Sequence, residues 1–108
     1  MSTRAIISIF DKLDGFNIFV NWDAWPERIM SSIEKATEFA WEFPRFQAGD
    51  FATALIKVLK IKAWWVFLIS ATEKIFEADY FYQIYEENWN LKIKITDLNL
   101  KQILHRGL

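Results

Sequence analysis

The residue types best suited to chemistry gather in Trp22-Asp23-Ala24-Trp25-Pro26-Glu27. Asp23 and Glu27 lie about one helical turn apart, a spacing that lets two carboxylates share a site. Such a pair works as acid and base only if the groups face each other in environments that separate their pKa values. The same stretch also reads as structure: Asp23 caps a helix, Pro26 sits in its first turn, and an aromatic packs against the sheet. A third reading is a binding platform at a strand-to-helix junction. There Trp22 and Trp25 supply apolar surface, and Asp23 and Glu27 act as polar anchors.

Most other chemistries lack their residues. With no Cys there is no thiol nucleophile, disulfide framework, iron–sulfur cluster or cysteine-based zinc site. The single histidine, His105, stands between Leu104 and Arg106 and has no triad or histidine-rich metal set around it. Three Gly build no phosphate-cradling loop. Ser2, Ser8, Ser31, Ser32 and Ser70 stand in no nucleophile-elbow context. The expectation is no metal, no cofactor and no catalytic residue.

Two further clusters carry binding readings. Trp64 and Trp65 follow Lys57, Lys60 and Lys62, which together could stack and neutralise a single-stranded nucleic acid. The plainer reading is a lysine-rich helix end followed by core aromatics. A formal net charge of −1 gives little general attraction to phosphates, so nucleic acid ranks last among the partners. Tyr80, Tyr82 and Tyr85 lie among Glu73, Glu77, Asp79, Glu86 and Glu87. That acidic aromatic segment could meet a basic surface, or could be an amphipathic strand with solvated flanks.

The elements that must position these residues follow from periodicity. Ala5 to Phe10 is β-branched and aromatic, hence a strand. Asp14-Gly15 signals a hairpin turn that uses glycine's tolerance of positive φ. Phe16, Ile18, Val20 and Trp22 then alternate with Asn17, Phe19 and Asn21. From Asp23, apolar residues recur at helical spacing through Ile29, Ile33, Ala36, Ala40 and Trp41, and Pro44 ends the helix. A second helix starts at Gly49-Asp50 with Asp50 as its cap, and Lys57, Lys60 and Lys62 lie near its end. Val66 to Ile69 is short and continuously apolar, so it reads as a central strand; Ala71 to Asp79 reads as a polar loop. Tyr80 to Glu86 and Leu91 to Thr96 alternate as strands around a turn at Glu87 to Asn90. The tail from Asp97 reads as a short helix or an edge strand.

The expected fold is α+β, a single domain over residues 1–108 with order β-β-α-α-β-β-β. A single antiparallel sheet carries two helices packed on one face, followed by the short C-terminal helix or edge strand. The longest apolar run, Ala63 to Ile69, is far too short to span a membrane, and the N-terminus has no signal-peptide pattern. These features predict a cytoplasmic protein with no membrane role. Aromatic residues reach 18%, high for a domain of 108 residues. Trp25, Trp64, Trp65 and Trp89 fall at element ends, where side chains escape the core. The expectation is that at least two of them meet a protein partner or a second copy of the chain.

Met1-Ser2-Thr3-Arg4-Ala5-Ile6-Ile7 and Ile18-Phe19-Val20-Asn21-Trp22-Asp23-Ala24-Trp25-Pro26-Glu27 carry a resemblance, joined by Val66 to Ile69 and Asp79 to Ile84. The chain resembles small proteins of bacteriophages and bacterial mobile regions that open Met-Ser-Thr-Arg-Ala and carry a Trp-Asp-Gly-Tyr/Trp-Pro-like motif. The resemblance implies a phage or prophage setting in a bacterial host cell. It implies no activity. The small size, the lack of catalytic groups and the aromatic excess favour a non-catalytic phage-type interaction protein, with an inhibitor of a host defence component as one form of it. The chain departs from that pattern with Asn21 and Glu77 where histidines are frequent. It also has Trp64, Trp65 and Trp89 where small residues, often Gly, stand. A variant genetic code, with a Gly codon read as Trp, would account for such tryptophans.

Overall fold

The computed structural model describes residues 3–62, 65–70 and 78–107. The element order is β1 (Ala5–Phe10), β2 (Gly15–Val20), α1 (Pro26–Ala36), α2 (Ala48–Lys62), β3 (Val66–Ile69), β4 (Tyr80–Glu87), β5 (Asn90–Asp97) and β6 (Gln102–Gly107). One six-stranded sheet runs β3-β2-β1-β4-β5-β6. The α+β class and the two helices therefore match the sequence reading. The sheet is mixed, however: β1 pairs parallel with β4, Ala5 beside Tyr80 and Ile9 beside Ile84. All other neighbours are antiparallel. The tail is strand β6, the edge-strand form of the expectation.

Alternation decides the faces. Ala5, Ile7, Ile9, Ile18, Val20, Tyr82, Ile84, Ile93 and Ile95 turn one way, and both helices bury their stripes against them: Ile29, Ile33 and Ala36 from α1, Phe51, Leu55 and Leu59 from α2. The opposite face is not uniformly wet. Ile6, Phe19 and Ala78 form a second buried cluster there, flanked by Ile69, Phe81 and Leu98. Lys92, Lys94 and Thr96 on β5 are half-buried on that face, as their alternation predicts.

Several local expectations give way to specific bonds. The first hairpin does not use Gly15 as its turn: Gly15 pairs with Phe10 inside the ladder and has no positive φ. The Asp11 carboxylate builds the turn instead, accepting from the amides of Leu13 and Asp14. Asp23 is not a helix cap. Trp25 occupies the N-cap position with no side-chain cap, and Pro26 begins α1 as expected. The helix ends at Ala36 rather than near Pro44. The Thr37 hydroxyl donates to the Glu34 carbonyl, and the Trp41 amide donates to Asp50, so Ala40 and Trp41 leave the helical stripe. For the same reason Asp50 is not a cap, since α2 already starts at Ala48.

β3 is an edge strand, not a central one. It pairs only with β2, and Phe67 and Leu68 are exposed. The expected loop at 71–79 lies mostly outside the described residues, as do Glu73 and Glu77. Asp79 has a structural role at the start of β4. Its carboxylate accepts from the Arg4 amide and from Nδ2 of Asn99, tying the start of β4 to β1 and to the β5–β6 turn. Tyr80 and Tyr82 face the helices, whereas Tyr85 turns to the other face and stacks on Phe10. The three tyrosines therefore do not share one surface.

Candidate functional site

The segment 21–25 leaves β2 at the end of the sheet where β3 begins, and three hydrogen bonds and an ion pair fix its path. The Asn21 amide donates to the Trp65 carbonyl at 3.0 Å, and the Ala24 amide to the Thr3 carbonyl at 3.2 Å. The Tyr82 hydroxyl, buried beneath, donates to the Ala24 carbonyl at 2.7 Å. Asp23 has φ of 48°, a left-handed conformation that aspartate tolerates better than most residues. Its carboxylate reaches Arg28 at 3.9 Å. Burial pushes the Tyr82 phenol above its ordinary value, so this hydroxyl remains a donor at any physiological pH.

These bonds frame a groove of about 540 Å³ along α1 and α2. Val20, Ile29, Val58 and Leu59 give it apolar walls, and Trp22 and Asp23 form part of its lining. Charged groups line it too, including Arg28, Lys35 and Glu38. Lys35 pairs with Glu38 at 3.2 Å, as Arg28 does with Asp23. Trp22 is 50% exposed, and Trp65, bonded through its backbone to Asn21, is 61% exposed at the same end of the sheet. Trp25, 42% exposed, follows directly. The structure thus brings Trp22, Asp23, Trp25 and Trp65 to one end of the molecule.

It separates the other candidates. Glu27 is exposed and does not line the groove that Asp23 lines. Trp89 lies at the opposite end of the sheet, in the β4–β5 turn. Trp64 and the side chain of Lys62 lie outside the described residues. Lys57 is engaged elsewhere, with its Nζ 4.5 Å from the centre of the Phe39 ring. Lys60 is exposed. Among the described residues no group of three His, Asp or Glu is arranged to hold a metal. No helix among them is long and apolar enough to cross a membrane.

Sequence reasoning missed Arg28, and it placed Tyr82 in an acidic aromatic segment rather than beneath Ala24. Arg28 lies five residues after Asp23, a spacing that a helix start can close into an ion pair. Tyr82 had a signal in its alternation with Ile84, which puts it on the helix-facing side. A large phenol there needs a partner for its hydroxyl. Removing that hydroxyl with Tyr82→Phe leaves the Ala24 carbonyl unpaired and is expected to lower stability by about 1 kcal/mol. Urea unfolding checks the loss, and a red shift of tryptophan emission would accompany loosening around Trp22. Comparison with family models, curated proteins and solved structures finds no match for this chain.

Proposed function

We propose that this chain is a small non-catalytic interaction module of the phage type, acting inside a bacterial host as an inhibitor of a host protein or defence component. The observation that carries the reading is the exposure of Trp22, Trp25 and Trp65 together at one end of the sheet, beside a groove whose lining mixes apolar and charged residues. Protein interfaces are enriched in tryptophan, with apolar centres and polar rims. Exposed apolar surface of this kind costs solubility unless a partner covers it.

A second reading is favoured by the groove's volume, which falls in the range of small-molecule sites. In that case Asp23, Arg28, Ser31 and Ser32 would orient a small ligand on the apolar wall. Binding to single-stranded nucleic acid through the lysine–tryptophan cluster ranks third, because Lys57 already sits over Phe39.

Light scattering combined with a neutral quencher tests the first reading. The expected result is strong quenching of Trp22 and Trp65 in the free chain, compared against Trp22→Phe and Trp65→Phe. A strictly monomeric chain with every tryptophan shielded would remove the basis of the reading. Asp23→Asn separates binding from turnover. It should weaken partner binding or stability by breaking the pair with Arg28. A steady-state reaction abolished by that change in a folded chain would instead make the site catalytic.

A further inference from the structure

We propose that β6 is an acceptor edge onto which an extended, acidic and apolar segment of a partner protein adds as another strand. This surface lies at the sheet edge opposite β3 and is separate from the tryptophan groove. Half of an edge strand's amides and carbonyls point away from its one neighbour and remain open to a further strand. Natural edges are often blunted by proline, a bulge, a covering helix or charged side chains. β6 shows none of the first three, and its charges are Arg106 with Lys101 in the preceding turn. Its six residues are all exposed and pair in an unbroken register with β5, from Asp97 beside Gln102 to Lys92 beside Gly107.

The side chains specify what fits. Ile103 is 52% exposed and Leu104 46%, one on each face of the strand, so an incoming strand finds apolar contacts on both sides. Leu104 lies opposite buried Ile95, yet the helices do not cover it. The hairpin around it is basic within a chain of net charge −1. Residues 88–107 hold Lys92, Lys94, Lys101 and Arg106 against the single acid Asp97. Among the described residues none of these four cations lies within ion-pair distance of a carboxylate; the ion pairs present are those of Arg28 and Lys35. A second copy of β6 would add its own Lys101 and Arg106 to an edge that already carries both cations, and that accumulation of like charge disfavours self-pairing. An acidic strand meets the same charges favourably, and its main-chain bonds complete the edge.

The test uses the full chain, isotopically labelled for NMR, titrated with a short peptide of alternating glutamate and valine. A peptide of alternating lysine and valine is the control. The expected result is amide shifts and slowed hydrogen exchange confined to β6 and its turn, with the glutamate peptide only. Lys101→Glu together with Arg106→Glu should weaken that peptide by about tenfold or more and admit the lysine peptide. Both side chains are exposed, so the fold is retained. Shifts centred on Trp22 and Ile61, or unchanged affinity after the charge reversal, would overturn the proposal. It would also fall if light scattering showed the free chain already paired with itself through β6. An oligothymidylate that shifts Lys92 and Lys94 while the glutamate peptide shifts nothing would assign the surface to nucleic acid instead.

Discussion

Replacing Asp11 with alanine is expected to lower the unfolding free energy by about 3 kcal/mol, a large effect for a half-buried loop residue. Three amides depend on this carboxylate. Oδ1 accepts from Leu13 and Asp14, each at 2.8 Å, and closes the first hairpin. Oδ2 accepts from Ala48 at 2.8 Å, which is the first residue of α2. The last bond is a helix cap supplied from a distant segment, where an anion also meets the positive end of the helix dipole. A lost cap costs about 1 kcal/mol, and hydrogen bonds to a charged group are the stronger kind. The bond to the Ala48 amide, then that to Asp14, holds the Asp11 carboxyl below the ordinary aspartate value. The depressed folded value means that this stabilisation is complete above the ordinary aspartate range and is lost as pH falls through the folded pKa. Urea unfolding of both chains across acid pH checks this. The gap between wild type and Asp11→Ala should be widest near neutrality and should shrink in strong acid. A gap independent of pH would place the stabilisation in packing.

Trp89→Gly is expected to act in the opposite direction and raise stability by about 1–2 kcal/mol. Glu87 pairs with Asn90, so Asn88 and Trp89 alone form the β4–β5 turn. Their φ angles are 52° and 66°, both left-handed. Two-residue turns with two left-handed residues match the twist of a hairpin and favour Asn followed by Gly. Asn88 meets this preference and Trp89 does not. Strain of this kind costs about 1–3 kcal/mol, part of which the extra freedom of glycine in the unfolded chain offsets. The Trp89 amide bond to Glu86 survives the change because it belongs to the backbone. Thermal unfolding should show a higher midpoint for Trp89→Gly and little change for Asn88→Gly. A lower midpoint for Trp89→Gly would mean that the exposed indole contributes more than its backbone costs.

Periodicity made the elements legible, and it failed where a distant bond overrides local pattern. The alternation of β2, β4 and β5 and the stripe of Ile29, Ile33 and Ala36 were readable because burial on one face imposes the period directly. The end of α1 was not, because apolar spacing continues to Trp41 while the Trp41 amide is held by Asp50. Continuous apolar sequence suggested that Val66 to Ile69 was central, but edge position depends on which strands remain unpaired, a property of the whole sheet. The parallel register of β1 with β4 has the same character, since it joins segments far apart in sequence. At the candidate site, Trp22, Asp23 and Trp25 were visible as a motif. Their convergence with Trp65 was not, for it rests on the bond from Asn21 to the Trp65 carbonyl.

The proposed function is tested most directly by retention of a partner from bacterial lysate on the immobilised chain, read side by side for three chains. Wild type, Trp22→Ser with Trp65→Ser, and Trp89→Ser would be compared after circular dichroism shows each folded. One discrete protein is expected to be retained by wild type and by Trp89→Ser and to be lost from the doubly substituted chain. Equal retention by all three chains would contradict the assignment of the interface to the Trp22–Trp65 end, as would loss with Trp89→Ser alone.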